Sequence, residues 1–154
     1  MTPAVEEDDV GEVVLEIPAR PEYLALVRQV VAAAAGVEPT FRDERIDDLR
    51  VAVSEAATNA IESHATLGSD ERIVLRCDLG EDQIEVEVTD RGGGFDPEGA
   101  VVAPDVGHPD RLWFERGLGL PLMRQLADES EVTAHEQGTA VRLVVYTPWH
   151  ARRG

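Results

Sequence analysis

The chain has 154 residues, a length that favours a single domain with its own core. Hydrophobic residues make up 43% and aromatic residues only 5%, so we expect an aliphatic core of Val, Leu, Ile and Ala. The net charge of −17, from 31 acidic and 14 basic residues, disfavours direct nucleic-acid binding and leaves open whether the acidity serves a basic partner or solubility alone.

The chain begins with an acidic segment, residues 1–11, which lacks any apolar period and is predicted to be a disordered tail. This segment also lacks the basic and apolar stretches of an export signal. The longest apolar run, residues 30–36, is far shorter than the ~20 residues of a membrane span. A single cysteine, Cys77, excludes an internal disulfide and is expected to be a core residue. We therefore predict a cytoplasmic protein that does not contact a membrane.

The rest of the chain alternates between helical and strand patterns. In chain order we predict a strand at 12–17, helices at 21–35 and 43–65, strands at 73–79 and 84–89, a glycine-rich loop at 90–97, a lid at 98–115, a helix at 117–127, strands at 132–135 and 140–146, and a loose tail at 148–154. This order predicts an α+β fold over residues 12–147: a two-layer α/β sandwich with helices on one face of a mixed, mostly antiparallel sheet.

A first motif, Ser-Glu-Ala-Ala-Thr-Asn-Ala at residues 54–60, lies on the longer predicted helix. Glu55 and Asn59 are four residues apart and share a helical face. At ~100° per residue, that face lies opposite the apolar stripe, so the helix would pack on one side and present a carboxylate and an amide on the other. A solvated helix face has the same pattern, so this motif alone does not decide between a site and a surface.

Two glycine-rich motifs flank the predicted lid. Asp-Arg-Gly-Gly-Gly at residues 90–94 directly follows a strand, and its glycines permit close backbone approach to a ligand. The acid at the strand end can accept a hydrogen bond from an exocyclic amine such as that of adenine. Arg-Gly-Leu-Gly at residues 116–119 leads into a helix, whose free N–H groups favour phosphate. An ordinary turn or a glycine hinge would explain either motif taken alone.

Together and in this order, the three motifs resemble those of the GHKL superfamily, whose domain has the Bergerat ATP-binding fold. Residues 55–59 resemble its N box, residues 90–94 its first glycine box and residues 117–119 its second. Within the superfamily, residues 54–60 and 117–128 resemble the anti-sigma-factor serine kinases in particular. The resemblance extends over residues 12–147.

The resemblance implies a role for each matching residue. Asn59 would hold Mg²⁺ against the ATP phosphates, Asp90 would bind the adenine amino group, and Glu55 would be the general base for a serine or threonine hydroxyl. Residues 98–116 would form the lid. The implied nucleotide-binding residues are Asn59, Asp90, Gly92, Gly94, Arg116, Gly117, Leu118 and Gly119.

The resemblance also implies the partners: a sigma factor that the kinase sequesters, an anti-anti-sigma factor that it phosphorylates, and a second copy in a homodimer. Three alternatives stay open, namely a kinase-deficient ATP-binding module that acts only by protein binding, a regulator of the same fold with another target, and a domain that binds no nucleotide. The presence of Glu55 favours the enzyme. The four histidines, at 64, 108, 135 and 150, are too scattered in the sequence to predict a metal cluster.

Overall fold

A computed structural model describes residues 11–68, 70–80, 82–91, 119–135 and 138–148. The elements in chain order are β1 (Glu12–Ile17), a 3-10 turn (Pro21–Tyr23), α1 (Leu24–Ala35), α2 (Asp43–Leu67), β2 (Ile73–Leu79), β3 (Gln83–Asp90), α3 (Gly119–Leu126), β4 (Glu129–His135) and β5 (Gly138–Tyr146). The predicted order of elements is confirmed, with bounds that shift by up to three residues. The predicted lid and, apart from Gly11 and Pro148, both predicted tails lie outside the described residues.

Within the described ranges the strands form one five-stranded sheet in the order β1-β2-β3-β5-β4. Every neighbouring pair is antiparallel, so the predicted mostly antiparallel sheet is confirmed and contains no parallel pair within the described ranges. The two hairpins, β2–β3 and β4–β5, are local and follow from the sequence. The pairings β1–β2 and β3–β5 join strands separated by helices, and their direction depends on where those helices return the chain.

The core lies between one face of the sheet and the helices. Cys77, Val86 and Leu143 are paired across β2, β3 and β5 and are at most 1% exposed. All three helices pack on this side, with α2 against β2, β3 and β5, α1 against β2, and α3 against β4. The aliphatic core is therefore confirmed. Cys77 is part of it, and burial raises the pKa of its thiol to about 11, so the thiol stays protonated at neutral pH.

The opposite face of the sheet carries alternating charged side chains. Arg76 of β2 forms an ion pair with Glu12 of β1 at 3.1 Å, and Arg142 of β5 forms one with Glu85 of β3. The period-two alternation of polar and apolar residues in these strands thus separates a core face from a polar face. None of the helices in the described ranges has the length and apolar character needed to cross a membrane.

Helix α2 supplies most of the functional candidates, and local signals set both of its ends. Asp43 and Glu44 lie in the first turn, where negative charge is favourable to the helix dipole. The helix ends at Gly68, which takes the left-handed conformation with φ 67° and donates its N–H to the carbonyl of His64. The 54–60 motif therefore lies in the middle of a 25-residue helix, and His64 lies in its last turn.

Candidate nucleotide and phosphotransfer site

Helix α2 is buried over a wider arc than the sequence predicts. Its apolar stripe packs inward as expected, through Val53, Ala56, Ala57 and Ala60. However, Asn59, expected on the opposite side, is also buried, at 2% exposure, and so is Ala52 at 0%. Helices α1 and α3 both pack against α2, so the sheet is not its only neighbour. The predicted open face is therefore wrong for Asn59, which lies at one edge of the buried arc, whereas Glu55 is half-buried.

Asn59 is the only asparagine in the chain, and its amide is an unusual feature of the core. Neither its Oδ1 nor its Nδ2 has a hydrogen-bond partner within the part of the chain that the structure describes. Leaving a buried polar group unpaired costs about 1–3 kcal/mol, so such a group usually bonds to the protein, to water or to a bound ligand. An amide oxygen is a hard ligand of the kind that Mg²⁺ accepts, and an amide N–H can donate to a phosphate oxygen. Asn59 therefore fits both a metal and a phosphate.

Glu55 lies one helical turn before Asn59 and faces an open groove. The groove has a volume of about 370 Å³ and is lined by Arg28, Asp47, Arg50, Val51, Ser54 and Glu55. Arg28 donates from Nε to Ser54 Oγ at 3.1 Å, which ties α1 to α2 beside the carboxylate. Residues four apart on a helix have Cβ atoms ~5–6 Å apart. The carboxylate can thus receive a group from the groove while Asn59 holds a ligand on the buried side.

Asp90 is the last residue of β3 and is 4% exposed. Its register partner on β5 is Thr139, 5% exposed, and paired residues of an antiparallel sheet point to the same face. Both side chains lie on the helix side of the sheet because Val88 and Val141, two residues away in each strand, are core residues of that face. A buried carboxylate and a buried hydroxyl therefore lie together at the end of the strands from which the glycine-rich segment leaves.

A hydrogen bond connects the first two motifs. His64 of α2 is 1% exposed, and its Nε2 accepts from the backbone N–H of Arg91 at 3.0 Å. Arg91 is the residue that directly follows Asp90. The helix that carries Glu55 and Asn59 is therefore bonded to the backbone at the start of the glycine-rich segment.

The third motif is described only where it enters α3. The helix is described from Gly119 onward and packs against α2, and its predicted start at 117 lies outside the described residues. Its other end is held by Arg45 of α2, whose guanidinium donates to the carbonyl of Leu126 at 3.2 Å and to Asp128 at 2.9 Å. The helix that the phosphate motif leads into is thereby fixed against the helix that carries Asn59.

The structure thus brings α2 together with the end of β3 and with α3. Of the predicted site residues, it describes Glu55, Asn59, Asp90 and the backbone of Gly119. The other predicted site residues lie outside the described residues: Gly92, Gly94, Arg116, Gly117 and Leu118.

Four residues around the site have a role that the sequence pattern did not predict: His64 and Arg45 on α2, Arg28 on α1, and Thr139 on β5. Each of them acts through a partner that is distant in the sequence, such as Arg91 for His64 and Leu126 for Arg45. No local pattern marks residues of this kind.

Comparisons with known proteins find similar sequences over most of the chain. The family model of the histidine kinase-like ATPase domain matches residues 17–145. The serine-protein kinase RsbW of Bacillus pumilus is 39% identical over 129 residues, which cover 79% of this chain and 77% of that protein. RsbW of Listeria monocytogenes is 35% identical over 139 residues, which cover 88% and 87%.

The fold has a solved counterpart as well. The crystal structure of the RsbU and RsbW domains of a Mycobacterium tuberculosis protein superposes with a TM-score of 0.65 at 20% identity. The match covers 90% of this chain and 33% of that longer one, and it concerns the fold alone.

Proposed function

Because the chain belongs to the RsbW serine-protein kinases, which carry a histidine kinase-like ATPase domain, we propose that it is an anti-sigma-factor kinase whose ATP site is built on Asn59 and Asp90. It transfers the γ-phosphate of ATP to a serine or threonine of an anti-anti-sigma factor and sequesters a sigma factor in the cytoplasm. The observation that carries this proposal is the pair on α2: a buried amide without a partner among the described residues, one turn from a carboxylate in an open groove.

Two ends of the nucleotide have separate receptors in this proposal. Asp90, at the end of β3, accepts from the adenine amino group. Asn59 and the segment 117–119 bind the phosphates. Gly117, Leu118 and Gly119 contact the triphosphate along its length, and Arg116 adds a charged contact. Gly92 and Gly94 let the backbone approach the base. The bond between His64 and Arg91 supports this division, because it fixes the helix that carries Asn59 against the backbone next to Asp90.

The composition of the chain supports a role for Mg²⁺. All 14 basic residues are arginines, so no lysine is available to contact the phosphates. The charge of the triphosphate must then be balanced by arginine, by backbone N–H groups or by a cation. We propose that Asn59 holds Mg²⁺ through Oδ1. When bound, Mg²⁺ neutralises charge on the phosphate oxygens as the phosphoryl group is transferred.

Glu55 acts on the partner's hydroxyl in the groove. The hydroxyl gives its proton to a carboxylate oxygen of Glu55 while its oxygen bonds to the γ-phosphorus, and the bond from that phosphorus to the β–γ bridging oxygen breaks, so that ADP leaves. A positioned general base typically contributes 10²–10⁴-fold to the rate. The rest of the acceleration comes from holding the two substrates in line.

The experiment compares two charge-neutralising variants of the same helix. Glu55→Gln removes the base, and Glu44→Gln removes an exposed carboxylate in the first turn of α2. Labelled ATP is supplied with each recombinant anti-anti-sigma homologue of the source organism. We expect phosphotransfer by Glu55→Gln to fall at least ~100-fold with an unchanged Kd for ATP, and Glu44→Gln to behave as the wild type.

Each result has a distinct meaning. Unchanged transfer by Glu55→Gln would overturn its role as the base. ATP binding by the wild type without any transfer would favour the kinase-deficient module. No binding at millimolar ATP would overturn the nucleotide site itself. The homodimer stays a prediction, and sedimentation equilibrium of the full chain measures it.

A further inference from the structure

We propose that His64 is a positioning residue of the nucleotide site, which fixes the Asp90–Arg91 peptide and thereby aims the Asp90 carboxylate at the base. The proposal rests on the proposed function, since it assumes that Asp90 takes the adenine amino group. The proposed function assigns His64 neither a contact with the phosphates nor a part in proton transfer.

The first support is the chemistry of the hydrogen bond. A backbone N–H is always a donor, so His64 Nε2 must be unprotonated to accept from Arg91 at 3.0 Å. The imidazole proton is then on Nδ1. The side chain is 1% exposed, and water does not compete for this bond. The bond therefore holds the backbone at one defined distance from α2.

The second support comes from the other side of the same peptide. Gly138 opens β5 next to the end of β3, and a Cβ atom placed on it would lie 2.7 Å from the carbonyl carbon of Asp90 and 3.0 Å from Cα of Arg91. It would also overlap the carbonyl oxygen of Asp90. Only a glycine permits this approach. The Asp90–Arg91 peptide is thus held between the imidazole of α2 and the backbone of β5.

The position of this peptide explains why holding it matters. Asp90 is the last residue of the β3 ladder, and Arg91 is the first residue beyond it. The register of β3 and β5 runs as far as the pair Asp90 and Thr139. A shift of the peptide would turn the carboxylate, which must meet the edge of a base within hydrogen-bond distance. The bond to His64 fixes the peptide directly after that pair.

The test uses three variants of the full chain. His64→Leu keeps an apolar side chain of similar bulk and removes the acceptor. His64→Gln places an amide oxygen where Nε2 lies and restores an acceptor. Asp90→Asn alters the proposed adenine contact itself. Calorimetric titration measures the Kd of each for Mg²⁺-ATP, for Mg²⁺-GTP and for Mg²⁺-tripolyphosphate, which has no base.

We expect His64→Leu to weaken ATP binding by roughly three- to tenfold, the fold-change that follows from losing one ordinary hydrogen bond. The preference for ATP over GTP should shrink with it, and tripolyphosphate binding should stay unchanged. His64→Gln should recover most of the ATP affinity. Amide hydrogen exchange at Arg91 should become faster in His64→Leu and return towards the wild-type rate in His64→Gln. A merely structural role would move the melting temperature and leave the ratio of the ligands unchanged.

The outcomes separate this proposal from the one on which it rests. If Asp90→Asn weakens ATP binding and neither His64 variant does, the role of His64 is overturned and the adenine site stands. If Asp90→Asn binds ATP like the wild type, the adenine assignment and the role of His64 both fall. Should His64→Leu fail to fold, His64→Asn provides the same contrast with His64→Gln, because its amide oxygen falls one bond short of Arg91.

Discussion

The buried amide of Asn59 should lower the stability of the protein in return for ligand binding, and one substitution tests this. The two amide atoms of Asn59 are buried without a partner in the described part of the chain. Asn59→Leu has the same number of side-chain heavy atoms and the same branching, and it needs no partner. The variant should therefore be more stable than the wild type without nucleotide, and it should lose the response to nucleotide.

The magnitude follows from the burial. Removing the unpaired amide is worth about 1–3 kcal/mol, and Leu gains a few tenths of a kcal/mol in helix propensity over Asn. Crowding by the larger methyl groups opposes this gain by about 1 kcal/mol. The net stabilisation is about 0.3–2.5 kcal/mol. For a chain of this length each kcal/mol moves Tm by about 2–4 °C, so the variant should melt about 1–10 °C higher.

The assay is a pair of melting curves for each protein, without nucleotide and with Mg²⁺-ATP at 100 times the wild-type Kd. The ligand should stabilise the wild type by about 2.7 kcal/mol and leave Asn59→Leu unchanged. With Mg²⁺-ATP the wild type should therefore melt at or above the melting temperature of Asn59→Leu. Gln29→Leu is the matched control, since Gln29 is an exposed polar residue of α1. An Asn59→Leu variant that melts below the wild type without nucleotide, or that gains as much from Mg²⁺-ATP, would refute the reasoning.

Two further substitutions test the frame around the site. Arg45→Met removes the contacts with Leu126 and Asp128 that hold α3 on α2. Because the two charged side chains, Arg45 and Asp128, are about one-third exposed, we expect the free energy of unfolding to fall by about 1 kcal/mol and Tm by about 2–4 °C. Arg50→Met, the control, should lower Tm by less, and equal losses would contradict the role of Arg45 in holding α3. Burial raises the pKa of Cys77 from 9.0 to about 11, so the thiol favours folding below pH 9 and this contribution is lost as the pH rises through 11. In urea titrations, the free energy of unfolding should therefore fall less between pH 9 and 11 for Cys77→Val than for the wild type. The same fall in both proteins would exclude the thiol as the cause.

The sequence was sufficient to predict the elements and residues that a local pattern marks. The period of the strands and helices predicted each element of the described chain, because alternation and helical spacing are local consequences of burying one face. Glu55 and Asn59 were marked by their four-residue spacing, and Asp90 by its place at the end of a strand. Their combination with the glycine motifs was specific enough to indicate the family.

The tertiary structure decided what depends on distant partners. The direction of the β1–β2 and β3–β5 pairings follows from where the helices return the chain, and no residue of those strands encodes it locally. The apolar period of α2 predicted one buried and one open side. Periodicity carries no information on the packing of α1 and α3 beside the helix. For that reason the burial of Asn59, and with it the physical argument for a ligand, came from the structure.

The contacts that hold the site are of the same kind. The bond from Arg91 to His64 spans 27 residues, and the bonds from Arg45 to Leu126 and Asp128 span more than 80. A hydrogen bond depends on the meeting of two atoms to within a few tenths of an ångström, and sequence spacing does not specify such a meeting across separate elements. The sequence by itself determined which groups carry the chemistry, whereas only the folded chain determined which groups hold them in place.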